Sequence, residues 1–269
     1  MDIARITFRP LSSAGGVEVL GINLCEKQSK DIIKLLLKEA CLKHSFLLLR
    51  NQDITWEEQF YFGGIFGDIL EDAPTGQERN IVSSTGELLL HFDHWLIEGY
   101  PKPTHFTMLY GIEVVPVGGE TILVNVMKAY NDLPVSLKDK IDNMQAIHYY
   151  DYSYSPEYET KASGRVRKAS TPSGQPHAIH PVARIHPSDK SKKVLYISPK
   201  NTERILGIAD EESEVVLQEL YTYIEKPEYM YLHKWRVGDV LIWDNHAMLH
   251  GRTNYEPQYK RKLRRASIL

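Results

Sequence analysis

The chain has 269 residues, 42% of them hydrophobic and 25% charged, with a formal net charge of -3. This is the composition of an ordinary globular protein, at a length one large β-sandwich or barrel can occupy. So mild a charge argues against electrostatic capture of nucleic acid or of an anionic membrane as the main task. No apolar run reaches the length of a membrane span, and Met1–Arg5 opens no signal-peptide core. The expected compartment is therefore the cytoplasm and the expected partner a small molecule, with homo-oligomerisation left open. Cys25 and Cys41 lack paired-ligand spacing and read as thiols rather than a disulfide framework.

In chain order, residues 3–24 alternate apolar runs with turn residues such as Ser12, Ser13, Gly15 and Gly16, a pattern that predicts two short strands. Ser29 is placed to cap a helix whose apolar face carries Ile32, Ile33, Leu35, Leu36 and Leu37. Phe46–Leu49 reads as a buried strand. Thr55 with Glu58 forms a capping-box signature for a helix over Trp56–Phe66, stopped by Gly67. Glu71–Ser84 is loop-like and suits one wall of a binding site. Leu88–Leu90 predicts a strand, as do Thr107–Tyr110 and Ile122–Val124 around the turn at Gly118-Gly119. Lys128–Leu133 reads as a turn and Ser136–Met144 as a short helix.

Tyr149–Tyr158 holds five tyrosines in ten residues and leads into a polar stretch to Gln175. It is too polar for core and too aromatic for a plain linker, so a lid-like insertion around 149–175 is expected. Strands follow at Ala178–Ile185 and Val194–Ile197, an amphipathic helix at Asp210–Ile224, a strand at Tyr229–Lys234, the block Val237–Trp243, and a basic closing strand. Many short strands with few helices predict a mainly β fold with flanking helices, a double-stranded β-helix or jelly roll, as a single domain over 1–269. A doubly wound α/β sheet would need regular βαβ alternation and usually a Gly-rich phosphate loop, and neither is present.

The strand Leu88–Leu90 delivers His91 and Asp93 at its end. Side chains two apart share a face of a strand, so the pair can grip one ion. An imidazole and a carboxylate are two-thirds of the 2-His-1-carboxylate set that suits Fe(II) with open positions. The last block offers His246 and His250 for the third place. Along the closing strand, Arg261, Leu263 and Arg265 fall on one face, with Lys260, Lys262 and Arg264 on the other.

Gly238–Asn245 followed by His250, Arg261 and Arg265 resembles the closing signature of the TauD/TfdA family of Fe(II)- and 2-oxoglutarate-dependent dioxygenases. His91-x-Asp93, Pro103, Gly118-Gly119-Glu120-Thr121, Ala129-Tyr130 and the early run Phe46–Arg50, Gln52 and Thr55 match in the family's order. The resemblance implies His91, Asp93 and His250 as metal ligands, with His246 and His94 not touching the metal. It implies Thr121 and Arg261 as the grip on the distal carboxylate of 2-oxoglutarate, Arg265 as the partner of an anionic substrate group, and O2 as the oxidant. With Tyr149 and Tyr150 enclosing the substrate, the implied reaction is hydroxylation or desaturation of an unactivated C–H bond, with succinate and CO2 as co-products. Asp93 stands where related halogenases carry a small residue. The loop after Gly67 lacks the histidine of taurine-oxidising members, which points to another substrate. A fainter likeness, carried by His91–Trp95 and Leu109-Tyr110-Gly111, is to PvcB-like members acting on isonitrile or amino-acid-derived metabolites. The alternatives are a non-catalytic or zinc-filled jelly-roll binding protein, and a nucleic-acid binder using the basic C-terminal strand.

Overall fold

The computed structural model describes residues 5–25, 30–70, 81–83, 86–93, 104–149, 158–160, 166–168 and 177–269. The chain opens with the hairpin β1 (Thr7–Ser12) and β2 (Gly15–Leu20), then α1 (Lys30–His44) and β3 (Phe46–Leu49). The expected cap Ser29 lies outside the described residues. Helix α2 (Trp56–Gly63) begins at a complete capping box, with Glu58 N–H donating to Thr55 Oγ1 and Thr55 N–H to the Glu58 carboxylate. It stops at Gly63 rather than Phe66, because the following N–H groups of Ile65 and Phe66 close three-residue turns onto Phe62 and Gly63.

Strands β4 (Ile69–Leu70), β5 (Ile81–Val82), β6 (Leu88–His91), β7 (Phe106–Glu113) and β8 (Thr121–Asn125) follow. Of the expected loop wall Glu71–Ser84, only 81–83 are described. Residues Lys128–Leu133 are not a simple turn. Most of them lie in α3 (Val126–Asn131), which Asn125 caps by accepting from Lys128 N–H. Then come α4 (Val135–Ile141), β9 (Gln145–Tyr149) and the backbone hairpin β10 (Tyr158–Thr160) with β11 (Val166–Lys168). Tyr150 and the rest of the tyrosine-rich stretch up to 157 lie outside the described residues.

The span Ala178–Ile185 is two strands, β12 (His177–Pro181) and β13 (Ala183–His186). Pro181 has no N–H with which to extend a ladder, and the chain changes sheet at Val182: β12 pairs with β9, and β13 with β14 (Asp189–Leu195). The remaining elements are β15 (Thr202–Ile205), α5 (Asp210–Ile224), β16 (Met230–His233), β17 (Val240–Asp244), β18 (Met248–Arg252) and β19 (Lys262–Ile268).

Two sheets carry the site. The larger runs β1-β2-β3-β17-β7-β19-β4, with β5 also on β19, and the smaller runs β16-β8-β18-β6. All their pairings are antiparallel except β2 with β3. Period-two alternation divides each strand of the larger sheet between two cores. Phe46, Leu48, Leu241, Trp243 and Leu263 point inward to meet Leu123 and Met248 of the smaller sheet. Leu47, Leu49, Val240, Ile242 and Ala266 point outward against Leu37 and Cys41 of α1 and Phe62 of α2. Behind the smaller sheet, Val124 and Leu249 pack on Ala129, Leu137, Val216, Leu217 and Leu220 from the later helices. Truncating one of the buried Leu, Ile or Met side chains among these to Ala removes roughly 2–5 kcal/mol. The result is a jelly roll with helices outside both sheets.

Candidate metal and co-substrate site

The site grows from the pairing of β6 with β18. His91 and His250 are direct partners in that antiparallel register, and their ring centroids lie 4.2 Å apart. Gly251 permits the approach, since a Cβ there would stand 2.7 Å from the Leu88 carbonyl of β6. Beyond the end of β6, Phe92 turns away to pack against Tyr196, 4.8 Å between centroids, and Asp93 returns to the face of His91.

Asp93 is held at three points. Its N–H donates to Asn245 Oδ1 (3.0 Å), its carbonyl accepts from Asn245 Nδ2 (2.9 Å), and its Oδ2 accepts from Thr107 Oγ1 (2.9 Å). With Oδ2 occupied, Oδ1 faces His91 Nε2 at 3.9 Å, His250 Nε2 at 3.6 Å and Arg265 Nη1 at 3.6 Å. One donor atom from each of His91, Asp93 and His250 lies within 4.8 Å of the others, and this is the only such ligand cluster among the described residues. His91 Nδ1 sits 2.8 Å from the Leu89 carbonyl. That contact assigns the proton to Nδ1 and leaves the Nε2 lone pair facing Asp93. Burial, then the neighbouring His250, holds the His91 pKa well below the ordinary range, so the ring is neutral near pH 7. Two imidazole nitrogens and one carboxylate oxygen on one side of a small space fit a divalent iron that keeps open positions.

Arg261 lines the same cavity. Its Nε donates to the Gly119 carbonyl (2.9 Å) and its Nη2 approaches Thr121 Oγ1 (3.4 Å), which also accepts from Trp235 Nε1 (3.0 Å). Gly119 has φ +68°, and a Cβ there would sit 3.1 Å from Arg261 Cδ, so the turn needs glycine on both counts. Burial, then the nearby Arg252, lowers the Arg261 pKa to about 10, which still leaves it charged at neutral pH. The cavity, about 70 Å³, is lined by His91, Asp93, His250, Thr121 and the three arginines Arg252, Arg261 and Arg265, with Leu88, Leu109 and Trp243 as apolar wall. A larger space of about 200 Å³ between the Val114–Glu120 turn and Trp235 touches Arg261 but none of the triad.

Thus His91, Asp93, His250, Thr121, Arg261 and Arg265 converge. Tyr149 does not line this cavity; it ends β9, with its N–H donating to the Asn201 carbonyl. His246 belongs to a separate buried group, 5.0 Å from His105 and 6.0 Å from His186 between ring centroids. Within that group His186 Nε2 lies 2.9 Å from Asp244 Oδ2. His94 lies outside the described residues. Arg264 points to the opposite face of β19, where it donates to the Ile54 and Thr55 carbonyls and covers the Tyr110 ring. Sequence reasoning overlooked Thr107, Arg252 and the clamping role of Asn245. For Arg252 a signal existed: it is two residues beyond His250 on the same strand, and so on the same face.

The family description "Taurine catabolism dioxygenase TauD, TfdA family" matches residues 7–267. A Sphingobium herbicidovorans protein named (S)-phenoxypropionate/alpha-ketoglutarate-dioxygenase is 29% identical, over 94% of this chain and 91% of its own. An Acinetobacter baylyi protein named alkylsulfatase is 26% identical over 98% of this chain and 85% of its own. The crystal structure of AAD-2 in complex with Mn(II) and N-oxalylglycine superposes with a TM-score of 0.78 at 25% identity, covering 98% of this chain and 96% of that one.

Proposed function

On the premise that the chain belongs to the TauD/TfdA family and is a 2-oxoglutarate-dependent dioxygenase, we propose that His91, Asp93 and His250 hold Fe(II), and that the enzyme oxidises an unactivated C–H bond of a small anionic metabolite. The observation that carries the metal assignment is the division of labour on Asp93: Oδ2 is tied by Thr107 while Oδ1 faces both Nε2 atoms. When bound, iron and 2-oxoglutarate would supply an O2-driven oxidation of the substrate, one oxygen atom going to the co-substrate as it becomes succinate and CO2.

The chain's own residues do the positioning. Arg261 presents a buried guanidinium fork, and Thr121 a hydroxyl, to the distal carboxylate of 2-oxoglutarate. Arg265 lies on the inner face of β19, two pleats beyond Arg261 and past Leu263, and takes the anionic group of the substrate. Leu88, Leu109 and Trp243 exclude water around the reacting carbon. The relatives named for a phenoxypropionate and for alkyl sulfates support an organic body bearing one anionic group. Tyr149 stands outside the cavity at the triad, so the part proposed for it and Tyr150 is to enclose the end of the substrate remote from the reacting carbon.

Anaerobic titration tests the reading. Fe(II) followed by 2-oxoglutarate should produce a weak visible charge-transfer band, and aryloxyalkanoates or alkyl sulfates should then stimulate succinate release. No band with the wild type, or a full band with His250→Ala, overturns the ligand assignment.

A further inference from the structure

Trp235 follows the end of β16 and does not line the cavity at the triad, yet its indole touches the grip on the co-substrate. β16 pairs with β8 so that His233 stands opposite Thr121, and Trp235 comes two residues later. Its Nε1–H donates to Thr121 Oγ1 at 3.0 Å, and Arg261 Nη2 donates to the same oxygen at 3.4 Å. An indole N–H and a guanidinium are donors only, whereas a threonine hydroxyl has two lone pairs and one proton. Both contacts therefore fall on lone pairs, and the hydroxyl proton is left to point in a third direction. Thr121 is buried and lines the cavity that holds His91, Asp93 and His250.

The indole is itself held in place. Its ring meets the His233 imidazole edge-on, with centroids 4.5 Å apart and 87° between the planes. His233 is fully buried, and its Nε2 lies 3.2 Å from Asp239 Oδ2. That oxygen also accepts from Arg50 Nη1 at 2.8 Å and from the Arg236 N–H at 2.9 Å. On β7, a Cβ at Gly111 would stand 3.2 Å from the Trp235 ring, so the strand lacks a side chain where the indole lies. A ring fixed by so connected a set of polar contacts gives its N–H one direction.

We propose that Trp235 is a positioning residue for the co-substrate. By occupying one lone pair of Thr121, it turns the hydroxyl proton towards the distal carboxylate of 2-oxoglutarate. This rests on the reading of Thr121 and Arg261 as the grip on that carboxylate. A carboxylate only accepts hydrogen bonds, so the hydroxyl helps only when it donates. In the reverse orientation its lone pairs would face the anion. The indole thus sets the polarity of the grip.

The test uses the full-length protein, loaded with Fe(II) under argon. Calorimetry would measure binding of 2-oxoglutarate and of 2-oxovalerate, which keeps the chelating 2-oxo acid and lacks the distal carboxylate. Trp235→Phe should weaken 2-oxoglutarate about tenfold, the scale of a hydrogen bond to a charged group, and leave 2-oxovalerate within about twofold. Thr121→Val should do the same. The double variant should bind no more weakly than Thr121→Val alone, because residues that act through one another are not additive. Replacing Trp235 by β-(3-benzothienyl)alanine keeps the bicyclic shape, removes the N–H and carries the same expectation should Trp235→Phe fail to fold. Equal losses for the two oxo acids mark a purely structural role and overturn the inference. Additive losses in the double variant, or wild-type 2-oxoglutarate affinity in the benzothienyl protein, overturn it too. A Thr121→Val protein that binds 2-oxoglutarate like wild type overturns the grip itself, and this inference with it.

Discussion

Thr107→Val is the most informative single change, because it leaves every ligand in place. Thr107 is fully buried in β7 and donates its hydroxyl to Asp93 Oδ2 at 2.9 Å. Valine keeps the shape and removes the donor. A hydrogen bond to a charged group contributes about 1.5–3 kcal/mol, and the backbone clamps from Asn245 remain. Without the hydroxyl, both carboxylate oxygens compete for the same space, and the ligand oxygen is no longer singled out. Fe(II) affinity should therefore fall about 10- to 100-fold, the range for partners one step removed from a metal. 2-Oxoglutarate affinity, measured at saturating metal, should hardly move, because Arg261 and Thr121 are untouched. Competition against a chelating fluorophore under argon gives the metal affinity. An Fe(II) Kd within twofold of wild type would refute the view that Thr107 selects the ligand oxygen.

Asp93→Ala should abolish substrate-coupled succinate formation; coupled turnover with iron still bound would sink the triad. Arg261→Ala should raise the 2-oxoglutarate requirement at least tenfold, since losing a charge-assisted pair in a buried site removes about 2–5 kcal/mol. An unchanged Kd would relocate the anchor, and Arg264 is an unsuitable replacement because it faces α2. The buried His246 should make stability pH-dependent. Its pKa is lowered to about 3, first by burial, while the unfolded ring titrates near 6.5. Between those values the unfolded state binds more protons, so stability rises with pH and is lost as pH falls below about 6.5. Urea melts at pH 7, 6 and 5 should show a shallower loss for His246→Gln than for wild type; parallel curves would contradict this.

The cluster of His91, Asp93 and His250 was legible because its members sit where alternation is strong: Leu88–Leu90 ahead of His91, and an apolar run on either side of Asp244-Asn245 ahead of His250. The helix Asp210–Ile224 was readable to its ends from the same cause, an apolar stripe of the right period with acidic residues in its first turn. Helix α3 was not. Six residues show too little periodicity, and its evidence is the Asn125 cap, a residue equally at home in a turn. Val182 hid a change of sheet inside an apolar run, since local pattern records burial but not which sheet does the burying. Thr107 was invisible for a further reason. Its contact with Asp93 depends on a strand distant in sequence, and nothing adjacent to Thr107 marks it.

The pairing of His91 with His250 has a consequence for how the enzyme is made. The gap between the imidazoles is set by the spacing of neighbouring strands, about 4.7–4.9 Å, so the sheet itself acts as the ruler for the proposed metal site. A slip of β6 by one residue would carry His91 to the opposite face and turn Leu90 inward in its place. The triad is brought together only in chains that have zipped correctly, so under the proposed ligand assignment metal uptake would serve as a proofreader of strand alignment, and misregistered molecules would lack the site.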